Sequence, residues 1–134
     1  MPVQNDFLCR LKMKSIILFV LFTISFVVCE QYTDKYDNIN IDEILANRRL
    51  LLPYLKCILD KGPCTAEGRE LKVHIKDGMQ TACAKCTDFQ RQHARKVVKH
   101  VRENEKPLWV ELLQKYDPKN EYQETYEKFL NAKD

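Results

Sequence analysis

The chain has 134 residues, of which 45% are hydrophobic and 31% are charged, and its formal net charge is +3 at neutral pH. This length accommodates one domain, and charges of both signs are interspersed along it. Such a balance gives neither the basic patch that binds nucleic acid nor the polybasic block that binds anionic membranes. We therefore expect no nucleic-acid partner and no stable membrane insertion.

The first 29 residues have the pattern of a secretory signal peptide. An apolar run over residues 16–28 follows three basic residues, Arg10, Lys12 and Lys14. The run is shorter than the roughly 20 residues that span a bilayer, and no basic stop-transfer segment follows it, which disfavours an uncleaved membrane anchor. Met13 is an alternative start. We predict a signal peptide over residues 1–29 and a secreted, single helical domain over residues 30–134, which carries a net charge of only +1.

Helix signals begin soon after the leader. Asn40 precedes an amphipathic stretch over residues 41–47, and Glu43 stands three positions later, an arrangement typical of a capped helix start. A leucine-rich helix is predicted over residues 48–59. The Gly62-Pro63 pair then stops it.

Pro53 conflicts with this leucine-rich helix. An interior proline removes one backbone hydrogen bond and clashes with the preceding turn, at a cost of about 3 kcal/mol. We expect the helix to start late, near Leu52, or to be broken or kinked between residues 48 and 53.

The remaining elements are also helical. Thr65 is suited to cap a helix over about residues 71–77, and a longer helix is predicted from about residue 80 to residue 101. Pro107 fits the first turn of a further helix, and aromatic and leucine residues recur at helical spacing over residues 122–130. The predicted fold class is all-α, a bundle of five or six short helices.

Four cysteines lie beyond the leader, Cys57, Cys64, Cys83 and Cys86, in the spacing C-x6-C-x18-C-x2-C. An even number of cysteines in a secretory context indicates disulfides. Three pairings are open. We favour bridges between neighbours, because the glycine-proline turn folds the chain back between the first two and the last two lie one helical turn apart. A zinc site is disfavoured by the loose x6 spacing, and redox catalysis by the lack of a βαβ context.

Four stretches together resemble one family. YTDKYDNINIDEIL, RRLLLPYLKCILDKGPCTAEGRELK, CAKCTDFQ and PLWVELLQKYDP are similar to the insect chemosensory proteins, also called the olfactory-segment D-like family, over about residues 32–130. The resemblance implies six helices around an apolar channel, disulfides between neighbouring cysteines, no cofactor and no catalysis. It further implies binding of long-chain alcohols, acids, esters or related semiochemicals, odorant or pheromone transport, and a chemoreceptor as a candidate partner.

The resemblance also assigns roles to individual residues. Tyr36 and Asp37 match the family's entrance segment, Tyr54 its tyrosine before the first cysteine, and Trp109 its tryptophan. Together with apolar positions on the helical stripes, the candidates for ligand binding are Tyr36, Asp37, Leu51, Tyr54, Leu55, Ile58, Leu71, Ile75, Phe89, Val97, Val101 and Trp109. For each apolar position, ordinary core packing is the alternative interpretation.

Histidines and carboxylates offer little sign of a metal or catalytic site. His93 and His100 are seven residues apart, about 10 Å along a helix, and His74 has no evident partner. No nucleophile, phosphate-binding or metalloprotease motif is present in the sequence. We expect a monomeric carrier that is not an enzyme. The alternative is an extracellular signalling or interaction protein in development, with a filled core and a contact surface of Tyr122, Tyr126 and Phe129.

Overall fold

The computed structural model describes residues 31–133, so the predicted signal peptide over residues 1–29 lies outside the described residues. Within these residues the fold comprises six α-helices: α1 (Ile41–Ala46), α2 (Arg48–Ile58), α3 (Ala66–Thr81), α4 (Asp88–Asn104), α5 (Lys106–Tyr116) and α6 (Gln123–Asn131). No strand occurs between residues 31 and 133. The all-α prediction is confirmed.

Asparagine side chains set the first two helices. Asn40 accepts a hydrogen bond from the Glu43 backbone N–H at 3.2 Å, which begins α1 as predicted. Asn47 has extended backbone (φ −122°, ψ 100°), ends α1 and accepts a bond from Arg49 N–H at 3.0 Å. The chain therefore turns at Asn47, with one helix before it and another after it.

The expectation of a late start near Leu52 or a break between residues 48 and 53 is wrong, whereas the alternative of a kink there stays a prediction. Helix α2 begins at Arg48 and continues without interruption through Pro53. The proline removes only the bond to the Arg49 carbonyl, and both residues are exposed, so water can hydrate that carbonyl. The break that we assigned to proline falls instead at Asn47.

The boundary between α3 and α4 also differs from the prediction. Thr65 caps α3 by accepting a bond from Gly68 N–H at 3.1 Å, and the helix then extends to Thr81, beyond the expected residues 71–77. Helix α4 begins at Asp88 rather than near residue 80. The segment between the helices forms a turn that the Cys83–Cys86 disulfide closes. Ala82, in the left-handed region, precedes this turn, and Thr87, the N-cap of α4, follows it.

A reciprocal capping box starts α4. Thr87 accepts a bond from Gln90 N–H, and the Gln90 side chain accepts one from Thr87 N–H, both at 3.1 Å. The T-x-x-Q spacing is present in the sequence and is the signal that the prediction of a helix start near residue 80 missed.

The helices close into a ring. Helix α2 lies beside α3, α3 beside α6, α6 beside α4, α4 beside α1, and α1 beside α2. Helix α5 packs on α4. The packed core sits where α2, α4 and α5 meet: Leu51, Leu55 and Val101 are buried together, with a half-buried fringe of Ile44, Leu45, Val97, Leu108, Trp109 and Leu112.

A buried carboxylate joins three of these helices. Glu105, only 6% exposed, lies at the junction of α4 and α5 and accepts two bonds from the Arg48 guanidinium at the start of α2, at 2.5 and 3.0 Å. The Glu105 carbonyl also accepts the Trp109 N–H at 2.9 Å, which begins α5. Hydrogen bonding from Arg48 holds the pKa of the Glu105 carboxyl below its ordinary value.

A second polar junction ties the end of α2 to α3 and α5. The Ile58 carbonyl accepts bonds from Lys115 Nζ at 2.7 Å and from the Tyr116 hydroxyl at 2.8 Å. Asp60 follows in the left-handed region (φ 61°) and forms ion pairs with Lys115 and Lys72. Hydrogen bonds from these two lysines lower the pKa of Asp60 to about 2.

The disulfides join neighbours, Cys57 to Cys64 and Cys83 to Cys86, as the spacing predicted. Their sequence separations are 7 and 3, so each closes a short loop worth about 2 kcal/mol in the chain-entropy model. They shape two corners of the chain.

We expect Glu105→Ala to lower the free energy of unfolding by about 1–3 kcal/mol, because it removes two charge-assisted hydrogen bonds at a buried junction. Chemical denaturation followed by circular dichroism measures this. Glu124→Ala is the matched control, since Glu124 pairs with Lys128 on the exposed face of α6. Equal midpoints for both variants would show that the Glu105 junction is dispensable.

Acid should weaken the Asp60 junction. Since the pKa of Asp60 is lower in the folded protein than the ordinary value of about 4, its ion pairs stabilise the fold above that ordinary value. This contribution is lost as the pH falls from about 4 to about 2. Asp60→Asn, which tolerates the left-handed backbone, should flatten the fall in the denaturation midpoint over this range, whereas Asp34→Asn in the exposed N-terminal segment should leave it steep.

Candidate ligand-binding interior

The candidate lining residues fall into three environments, the first of which is packed core. Four of them are buried: Leu51, Leu55, Ile58 and Val101. Three of the four form the core cluster at the meeting of α2, α4 and α5. Side chains with so little accessible area act in the first place as core, the alternative that the sequence left open for each of them.

The second environment is half-buried and holds six candidates, Tyr36, Asp37, Tyr54, Ile75, Val97 and Trp109. Val97 and Trp109 pack against the core cluster while part of their surface stays accessible. Ile75 lies on α3, which the ring places between α2 and α6. Apolar side chains that border a core without being fully covered by it are suited to line a ligand-binding space.

The third environment is the surface. Leu71 is 46% exposed and Phe89 is 44% exposed. The Phe89 ring lies against the His93 ring, with centroids 3.9 Å apart. The structure does not bring these two candidates into the cluster that contains Leu51, Val97 and Trp109.

Trp109 contacts an aromatic residue of the last helix, Tyr126, which the sequence placed on an external contact surface. The two rings meet edge to face, with centroids 6.1 Å apart and planes at 89°. Burial is the main cause of a raised pKa at the Tyr126 phenol, which therefore stays neutral at physiological pH. An apolar space beside this pair would border a neutral polar group.

The three aromatic residues expected on an exposed contact surface of the last helix are covered to different degrees. Tyr126 is buried, and Tyr122 and Phe129 are half-buried. The Tyr122 hydroxyl accepts a bond from Gln80 Nε2 at 2.9 Å, and the Arg95 guanidinium lies 4.9 Å from the Phe129 ring centre. These aromatic residues attach α6 to α3 and α4, which explains their helical spacing without an external partner.

Residues before α1 form an N-terminal strap, defined here as residues 32–37. Gln90 Nε2 donates to the Thr33 carbonyl and to Asp37 Oδ1, both at 2.9 Å. Tyr32 hydrogen-bonds to the Asp77 carboxylate through its hydroxyl, and its backbone N–H donates to the Lys85 carbonyl at 2.9 Å. The strap thus spans the end of the ring where α3 ends and α4 begins.

His74 belongs to this arrangement, although the sequence showed no partner for it. Its ring stacks on Tyr32 with centroids 3.9 Å apart, and its Nε2 lies 2.8 Å from Glu70 Oε1. Burial, together with the neighbouring Asp77 carboxylate, raises the pKa of Tyr32. Contacts between Tyr32 and residues more than 40 positions away cannot be read from local spacing.

A separate groove of about 400 Å³ lies between α1 and α4 and is open to solvent. Its lining residues are Asp42, Leu45, Ala46, Lys96, Lys99, His100 and Glu103. Lys96 and Asp42 form an ion pair between the two helices. None of the candidate ligand-binding residues lines this groove, but Leu45 also belongs to the fringe of the core.

Across residues 31–133, no three histidine, cysteine, aspartate or glutamate side chains are grouped so as to hold a metal ion. Within the same residues, no helix is both long enough and apolar enough to span a membrane.

Six short helices, a small packed core and two short-loop disulfides define a class of small, disulfide-bridged all-α domains. The chain belongs to the insect pheromone-binding family A10/OS-D, whose pattern matches residues 32–124. It is 45% identical over 115 residues to ejaculatory bulb-specific protein 3 of Drosophila melanogaster, covering 85% of this chain and 91% of that protein. It is 46% identical over 103 residues to allergen Tha p 1 of Thaumetopoea pityocampa, covering 77% and 82%.

Solved structures give the same assignment. A chemosensory protein in complex with bromo-dodecanol superposes with a TM-score of 0.67 at 49% identity, over 73% of this chain and 98% of that one. The antennal chemosensory protein A6 of the moth Mamestra brassicae superposes with a TM-score of 0.61 at 48% identity, over 75% and 94%. The predicted relationship to chemosensory proteins is confirmed.

Leu55 and Leu71 were both candidate lining residues, yet their environments differ, and their substitutions should therefore differ in effect. We expect Leu55→Ala to lower the free energy of unfolding by about 2–5 kcal/mol because it leaves a cavity in packed core. Leu71→Ala should change it by less than about 1 kcal/mol. Chemical denaturation of both variants checks this, and a comparable loss in both would mean that Leu71 is covered in solution.

Proposed function

We propose that this protein is a secreted carrier that binds small apolar, long-chain molecules in the interior of its helix ring. The observation that carries the proposal is the incomplete coverage of inner apolar side chains. The packed core is confined to Leu51, Leu55 and Val101, whereas Val97 and Trp109 at its border stay partly accessible. We propose that the aliphatic chain of a ligand covers these accessible apolar surfaces.

The family relationship supports the same proposal. A chemosensory protein 49% identical to this chain has been solved in complex with bromo-dodecanol, a long-chain alcohol. The six-helix topology and the neighbour-paired disulfides agree with that relationship. We therefore propose long-chain alcohols, acids or esters as ligands, and transport of semiochemicals or lipids as the task, with binding and release in place of catalysis.

Chemistry at the border of the core favours neutral polar ends. The phenol of Tyr126 is neutral, and Trp109 lies against its ring. A neutral hydroxyl or ester is less costly to bury than a carboxylate, because an unpaired charge loses its hydration. We propose that alcohols and esters bind more tightly than carboxylates of equal length.

Secretion, a monomeric state and delivery to a chemoreceptor complete the proposal. The leader pattern over residues 1–29 and the disulfides support secretion, since disulfides persist in oxidising compartments. Delivery to a receptor rests on family membership alone. The interaction-protein alternative loses its main support, because Tyr122, Tyr126 and Phe129 are occupied in packing α6 against the ring.

The proposal is tested by uptake of N-phenyl-1-naphthylamine by the oxidised protein and its displacement by alcohols and acids of graded chain length. We expect saturable one-to-one binding with an optimum chain length. Val97→Phe should weaken binding by about tenfold, or 1.4 kcal/mol, because the larger ring occupies the accessible space beside the core.

Val110→Phe is the matched control, since Val110 is 51% exposed on α5. It should leave probe affinity unchanged. Failure of the folded wild-type protein to take up the probe would overturn the carrier proposal. Equal weakening by both phenylalanine variants would contradict the assignment of the interior near Val97 as the site.

A further inference from the structure

The Cys83–Cys86 loop is held in a conformation that its sequence does not favour. Ala82 and Cys83 are consecutive non-glycine residues in the left-handed region, with φ of 53° and 61°. Left-handed backbone is unfavourable for residues other than glycine, so it persists only where the surroundings hold it. Ala82 caps the end of α3, where its N–H and that of Cys83 bond to the Gly78 carbonyl. The bridge closes the loop from Cys83 onward, and Cys86 N–H bonds back to the Cys83 carbonyl at 3.0 Å.

This conformation presents three consecutive carbonyls to other parts of the molecule. The Cys83 and Ala84 carbonyls accept bonds from the Arg91 side chain in α4, at 3.3 and 3.5 Å. The Lys85 carbonyl accepts the Tyr32 N–H at 2.9 Å. The loop therefore serves as an attachment point for the N-terminal strap.

The strap is also attached to α3 and α4. The Tyr32 side chain contacts His74 and Asp77 on α3, and Gln90 on α4 holds Thr33 and Asp37. All of these partners lie at one end of the ring. The strap is thus attached at the α3 end through Tyr32, at the disulfide loop through a backbone bond, and at the α4 end through Gln90.

We propose that the Cys83–Cys86 bridge is the latch of the N-terminal strap, and that the latched strap limits the rate at which ligand enters and leaves the ring. The second half of this proposal rests on the carrier function proposed above, whereas the first half concerns the chain alone. The two disulfides then have different tasks. Cys57–Cys64 fixes the corner between α2 and α3, and Cys83–Cys86 fixes the backbone to which the strap binds.

Hydrogen exchange of the strap tests the latch directly. In the double variant Cys83→Ser, Cys86→Ser, the loop can relax, and the Tyr32 amide should exchange about tenfold faster relative to amides in the middle of α3, as expected for loss of one hydrogen bond. The matched control is Cys57→Ser, Cys64→Ser, which removes the other short-loop bridge and should leave that ratio unchanged. Equal ratios in the two variants, with both folded by circular dichroism, would overturn the latch.

A reciprocal experiment keeps both bridges and covers the case in which the serine variant does not fold. If the loop holds the strap, the strap holds the loop by the same coupling free energy. Tyr32→Ala should therefore speed reduction of Cys83–Cys86 by dithiothreitol severalfold, measured by alkylation and mass spectrometry, and leave the rate for Cys57–Cys64 unchanged. An unchanged rate at Cys83–Cys86 would contradict the proposal.

Stopped-flow release of N-phenyl-1-naphthylamine tests the gating half. Tyr32→Ala should raise the association and dissociation rates together, with little change in their ratio, because the strap acts on access and not on the bound state. Unchanged rates would overturn gating. If the wild-type protein takes up no probe, the carrier proposal fails, while the exchange and reduction experiments still decide whether the bridge latches the strap.

Discussion

A carboxylate removed from water at the junction of three helices is the interaction on which the ring depends. Glu105 ends α4, begins α5 with its carbonyl and receives the Arg48 guanidinium from the start of α2. The Arg48 side chain stays largely exposed, whereas that of Glu105 is buried, so the ion pair joins a solvated cation to a buried anion. The packed core of Leu51, Leu55 and Val101 forms where the same three helices meet. The ion pair and the apolar core therefore hold the same three helices together.

The disulfides have a complementary effect. Each closes a loop within one corner of the chain, so neither holds distant helices together. Contacts between side chains of different helices hold the ring closed. Examples are the ion pair of Arg48 with Glu105 and the bonds from Lys115 and Tyr116 to the Ile58 carbonyl. A domain of about 105 residues buries a limited core, and these polar junctions add to its packing in holding the helices together.

Local sequence rules predicted those features of the fold that local interactions determine. Asn40 and Thr65 cap helices as expected, and Pro107 lies in the first turn of α5. The predicted helix boundaries were wrong where hydration of a freed carbonyl or a disulfide turn outweighed local helix propensity. Periodicity favours a helix from residue 80 to residue 101, but the disulfide turn and the Thr87 capping box begin α4 at Asp88.

The site was predictable only in part, for a different reason. Helical spacing identifies the face on which an apolar residue lies, but it does not identify the neighbour that covers that face. Leu55 and Leu71 occupy similar stripes, yet the ring buries one and exposes the other. Spacing alone left Tyr126 available for a partner, whereas α6 packs against α3 and α4 and buries it. Family resemblance supplied the residue roles, and those of the strap depend on contacts between segments far apart in sequence.

Neighbour pairing of the cysteines has a consequence for biosynthesis. In an unfolded chain the chance that two thiols meet falls as the segment between them lengthens. The native bridges join cysteines 7 and 3 residues apart, whereas any pairing across the two sets must close a loop of at least 19 residues. Under oxidising conditions, random encounter therefore favours the native bridges before any tertiary structure exists. The native pairing of these four cysteines is thus the one that closes the shortest loops.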